Sequence, residues 1–124
     1  MFIIVPLIPP PNQSNLSLVQ KLVNAYKLWH KFLPHFPKTS RYTLGSKIDS
    51  LFIETTESVI KAFHSGKGEK LIYLIQASVK LDLLKFFLQI AWEIKALDNK
   101  KYIRLSEKLD EIGRMLDGWL KSLK

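Results

Sequence analysis

The chain has 124 residues, no cysteine, and 19 Lys plus Arg against 11 Asp plus Glu, a formal net charge of +8. That length builds one domain, and 47% hydrophobic with 24% charged residues is a globular composition rather than a disordered one. Without cysteine there is no disulfide framework, no cysteine zinc site and no thiol nucleophile, and no apolar run reaches the roughly 18–20 residues of a membrane span.

The charge is uneven along the chain. Lys21, Lys27, Lys31, Lys38, Arg41 and Lys47 precede the first acid, Asp49, so residues 1–48 carry +6 and the rest +2. A basic excess of this kind suits a polyanion or an acidic protein surface. It also suits plain solubility.

Residues 1–13 read as an extended or disordered leader. Met1–Ile8 is apolar, but Pro6, Pro9, Pro10 and Pro11 exclude a helix or a central strand. The stretch is short and lacks a basic flank, so it is not read as a signal peptide, and a cytoplasmic protein is expected. Pairing as an edge strand or covering an apolar patch stay open for it.

Residues 14–124 read as four helices. The first spans about Ser14 to Leu33, with Leu16, Val19, Leu22, Val23, Tyr26, Trp29 and Leu33 at helical steps, and Pro34 and Pro37 end it. The second runs from near Ser40 to about His64 on Leu44, Ile48, Leu51, Phe52, Thr55, Val59, Ala62 and Phe63. Gly45 in its first turns is costly by about 1 kcal/mol and fits a close approach of another element. Ser65-Gly66-Lys67-Gly68 is a breaker loop.

The third helix is read over Glu69 to Leu97 and carries two apolar stripes. Val79, Leu83, Phe86, Phe87, Ile90 and Ile94 form one; Leu81, Leu84, Leu88, Ala91 and Trp92 form the other. Together they cover roughly two-thirds of the circumference, more than a small bundle needs. The surplus calls for self-association, and Leu81, Leu84, Leu88 and Trp92 are assigned to the subunit contact. Asp98-Asn99 then caps a fourth helix, Lys100 to Leu123. Its Leu105, Leu109, Ile112, Leu116, Trp119 and Leu123 keep the spacing of a bundle seam. Asp110 with Arg114 and Asp117 with Lys121 are i, i+4 pairs. Short connections between four helices predict an all-α, up-down-up-down antiparallel bundle.

Catalytic chemistry is sparse. His30 and His35 straddle Pro34, in poor geometry for a shared metal. Glu54 and Glu57 lack the Glu-x-x-His partners of a bundle metal site, and Gly66-Lys67-Gly68 lacks phosphate-loop spacing. No enzyme, metal or cofactor is expected. Binding features are stronger. In an antiparallel bundle the first and third connections share one end. That end would gather Lys31, Lys38, Arg41 and Lys47 with Lys100, Lys101 and Arg104, a set able to neutralise phosphates without reading bases.

Trp29 followed by Phe36-Pro37-Lys38 and Arg41-Tyr42-x-Leu44-Gly45-x-x-Ile48 resembles the first half of the accessory variability determinant (Avd) proteins of diversity-generating retroelements. Ile112-Gly113-Arg114-Met115-Leu116-Asp117-Gly118-Trp119 resembles their last helix. The resemblance covers about residues 16–122. The related ribosomal-RNA intervening-sequence proteins share the bundle, but their Asn-Ile-Ala-Glu-Gly stretch is absent here. The resemblance implies a non-catalytic, basic homopentamer that binds a reverse transcriptase and RNA, with DNA as an alternative polyanion. It puts Lys38, Arg41 and Arg114 within family motifs. A helical adaptor with no nucleic-acid role is the competing expectation.

Overall fold

The computed structural model describes residues 13–123, so the leader expected over 1–13 lies almost wholly outside the described residues. Four long helices, α1 (Gln13–Phe32), α3 (Ser46–Phe63), α4 (Lys67–Glu93) and α5 (Asn99–Ser122), carry the fold, with a single-turn α2 (Lys38–Ser40) in the first connection. No strand occurs among the described residues. Each long helix packs on the one before it, and α5 closes on α1. This is the predicted antiparallel four-helix bundle. No helix is long and apolar enough to cross a membrane.

The connections explain the helix ends. Pro34 removes an amide donor, so α1 tightens into a 3-10 turn at Leu33–His35 and stops. The chain restarts at Lys38, earlier than the spacing predicts, and passes through a π-helical turn at Arg41–Gly45 into α3. Gly45 is buried there. A Cβ on it would stand 2.9 Å from Leu33 Cδ1 and 3.5 Å from Phe36 Cδ2, so glycine lets the two limbs of the connection touch. A Cβ at Gly113 would come within 3.2 Å of Lys85 Nζ, whereas Gly118 has open space around it and serves no close approach within the chain. Asp98 caps α5 as expected, its Oδ1 accepting the Lys101 amide at 2.9 Å.

The core is one cluster. Leu22, Ala25 and Trp29 from α1, Ile48, Phe52 and Val59 from α3, Leu74, Ala77, Leu84 and Leu88 from α4, and Leu105, Leu109 and Leu116 from α5 are all buried. Trp29 stacks on Phe52 and meets Phe36 edge to face, and its indole N–H donates to Asp49 Oδ1 at 3.0 Å. The first acid of the chain thus ties α3 to α1. Asp49 also lies beside Tyr26, whose pKa is raised by burial first, then by the hydrogen bond and charge of Asp49. Ion pairs Lys21–Glu111 (3.1 Å), Lys80–Glu54 (3.5 Å) and Lys85–Asp110 (3.3 Å) link neighbouring helices at the surface. Asp110 therefore pairs across to α4 rather than with Arg114, and Asp117 with Lys121 forms no ion pair.

The two stripes of α4 are real, but their assignment is reversed. Leu81, Leu84 and Leu88 are 2%, 0% and 1% exposed within the single chain and, with Leu74, Ala77 and Ala91, form the face that packs into the bundle. They cannot be a free subunit contact. The outward line is Ile72, Ile75, Val79, Leu83, Phe86 and Ile94, all exposed, with Ile90 half-buried among them. At 100° per residue the two lines point about 160° apart. Hydrophobic periodicity defines both faces and leaves open which one turns inward.

Candidate nucleic-acid interface

Antiparallel packing brings the first connection and the α4–α5 connection to one pole. Phe32, at the end of α1, marks the junction: Lys101 Nζ lies 5.8 Å and Arg104 Cζ 5.7 Å from its ring centre. Lys31, Lys38, Lys47, Lys100 and Arg104 are exposed around this point, and Lys101 is half-buried. The segments 31–49 and 93–104 together hold eight basic and three acidic residues. Asp98 pairs with Lys101, which cancels one charge of each sign, and the Asp49 carboxylate accepts the Trp29 indole N–H. Asp98 titrates below the ordinary carboxylate range, chiefly because it accepts the Lys101 backbone N–H and then because of the Lys101 ammonium at 2.9 Å.

Two expected site residues behave differently. The Arg41 guanidinium turns inward on the loop, its Nη2 donating to the Pro34 carbonyl at 2.9 Å and the Phe36 carbonyl at 2.8 Å, while its Nε is buried without a partner. Arg41 is a fastener of the connection and pairs with neither Glu54 nor Glu57. Arg114 is exposed but sits on α5 ten residues beyond Arg104, about 15 Å along the helix. It borders a shallow groove with Asp82, Lys85, Asp110 and Asp117. The structure does not bring it to the pole.

The pole also carries aromatic groups that basic-residue counting missed. Trp92, 38% exposed, stacks on Tyr102 with ring centres 5.2 Å apart and planes 14° apart, and its indole N–H donates to Asn99 Oδ1 at 2.6 Å. It continues the inward line of α4, five turns beyond buried Leu74, and keeps its exposure because it sits at the pole end of that line. Tyr42, 74% exposed, stands in the first connection at the same end. Nothing in the spacing of Trp92, Asn99 and Tyr102 signals this stack, because it forms across a helix end.

The three histidines are exposed, and among the described residues no group of His, Asp and Glu is arranged to hold a metal ion. The chemistry the surface offers is charge neutralisation and ring stacking.

The chain is an antiparallel four-helix bundle with a cationic, aromatic-edged pole. The bAvd-like family matches over residues 13–123, and the chain belongs to that family, one of accessory, non-catalytic proteins. No curated protein matches the chain.

Proposed function

We propose that the protein is a non-catalytic accessory factor of a diversity-generating retroelement, a homo-oligomer that holds a reverse transcriptase and RNA together during mutagenic cDNA synthesis. The observation that carries this reading is the cationic pole formed where two connections of a bAvd-like bundle meet. Lys31, Lys38, Lys47, Lys100 and Arg104 would neutralise phosphates there, giving affinity that falls steeply with salt and depends little on sequence. Single-stranded DNA presents the same charges.

The outward line of α4 supports the assembly. From Ile72 to Ile94 it runs about 33 Å, an exposed apolar line of the kind that marks a protein contact. The subunit number five follows from the resemblance to Avd proteins. In a ring the charge of each pole is multiplied by the number of copies.

Retention on RNA measured at low and at moderate salt tests the pole, and unchanged retention refutes it. Light scattering at micromolar concentration tests the assembly, and a monomer refutes it. Co-purification with a reverse transcriptase encoded beside this chain, with and without nuclease, tests the partner. The α4 line taken alone favours a protein adaptor with no nucleic-acid role. In that case charge reversal at Lys38 and Lys100 abolishes partner binding and leaves RNA retention as it was.

A further inference from the structure

We infer that Trp92 is a stacking platform for an unpaired nucleobase of a single-stranded polynucleotide. The inference rests on the cationic pole meeting nucleic acid and adds which form of it the pole prefers. Of the three tryptophans, Trp29 and Trp119 are buried and Trp92 alone has substantial exposure, at 38%. Its ring is held from two sides: Tyr102 covers one face, and Asn99 takes the indole N–H at 2.6 Å. An exposed aromatic fixed in this way loses little freedom on binding. Lys95 in the connection and Lys100 in the first turn of α5 follow it, both exposed, placing cations where the phosphates of a strand would run while its base meets the indole.

Packing accounts for the face of the ring that Tyr102 covers and leaves more than a third of Trp92 open at the pole. Trp92 is not part of the outward apolar line that a second subunit would bury. Tyr42, 74% exposed in the first connection, supplies a further ring at the same pole. Basic groups interleaved with aromatic faces favour single strands, because in a duplex the bases are already stacked on one another.

The test compares binding of a single-stranded oligouridine and an RNA duplex of equal length, with a matching single-stranded oligothymidine as a third probe. Trp92→Leu is expected to weaken binding of both single strands by roughly five- to a hundredfold and to leave duplex binding within about twofold of the parent protein. Trp92→Phe keeps most of the single-strand affinity. In the unsubstituted protein, oligouridine quenches the exposed share of tryptophan fluorescence, a readout that needs no variant to fold. Charge reversal at Lys100 and Arg104 weakens single strands and duplex alike; if it weakens neither, the cationic pole itself is wrong. The stacking inference is overturned if Trp92→Leu affects strands and duplex equally, if it affects neither, if oligouridine leaves the fluorescence unchanged, or if the substitution alters subunit mass by light scattering in place of affinity.

Discussion

Lys95 stands with φ at 66° directly after α4, the one non-glycine residue with positive φ among the described residues. Around it the Ala96 amide donates to the Ala91 carbonyl at 2.9 Å and the Lys95 amide to the Trp92 carbonyl at 3.0 Å. These six-to-one and five-to-two bonds close the helix in the manner that normally employs glycine. A left-handed backbone costs an L-residue about 1 kcal/mol or more, so glycine at this position relieves strain. Lys95→Gly alone would also remove a cation near a helix C-terminus. Comparison of Lys95→Gly with Lys95→Ala cancels that change, since both lose the charge and only one keeps a Cβ. The glycine variant is expected to be more stable than the alanine variant by about 1 kcal/mol, which is the reverse of the order inside a helix. In urea unfolding followed by helical circular dichroism, the midpoint moves and the slope does not; the thermal midpoint separates by about 3–5 °C. If the glycine variant equals or falls below the alanine variant, the left-handed cap is not formed in solution and the end of α4 is misplaced.

Asp49→Ala leaves the buried Trp29 indole N–H without its acceptor and is expected to cost about 1–3 kcal/mol, while Asp49→Asn, which keeps an oxygen, costs less; chemical unfolding of the two variants checks the order. Asp98 titrates below its unfolded value of 3.8, so its stabilising effect is present above that pH and is lost as pH falls through the folded pKa. The acid limb of the stability profile should flatten in Asp98→Asn, and an unchanged limb would count against the cap. Leu84→Ala removes packing from the core and is expected to destabilise the fold by about 2–5 kcal/mol, whereas Phe86→Ala, on the outward line, changes monomer stability by no more than about 0.5 kcal/mol. Equal losses at the two positions would contradict the orientation of α4.

The sequence made some of this plain and concealed the rest for physical reasons. On α5 there is a single apolar line, Leu105 through Trp119, so its spacing alone identified the buried face. On α4 the same method met two opposed lines, and periodicity has no means of choosing between them. The end of α4 was read too far, to Leu97, because Lys95 closes the helix without the glycine that would have announced it, and because Leu97 folds back and is itself buried. The pole was legible from helix parity, since antiparallel order alone gathers the first and third connections. Arg41 was not, because its ligands are the carbonyls of Pro34 and Phe36, groups that every residue possesses and no motif records. The Trp92–Tyr102 stack was missed for a related cause: it joins two helices around their connection, where no fixed spacing applies.

The engagement of Arg41 with its own loop has a consequence for selectivity. Arginine presents a planar, rigid fork that fixes the angle at which an anion approaches, whereas lysine is a compact charge on a long, rotatable stem. With one guanidinium taken up by Pro34 and Phe36, the exposed cations of the pole are lysines, Lys31, Lys38, Lys47, Lys95 and Lys100, with Arg104 as the one exposed arginine beside them. A surface of that make-up would respond to how densely negative charge is arrayed and impose little demand on its direction, so a charged chain meeting it could take many paths.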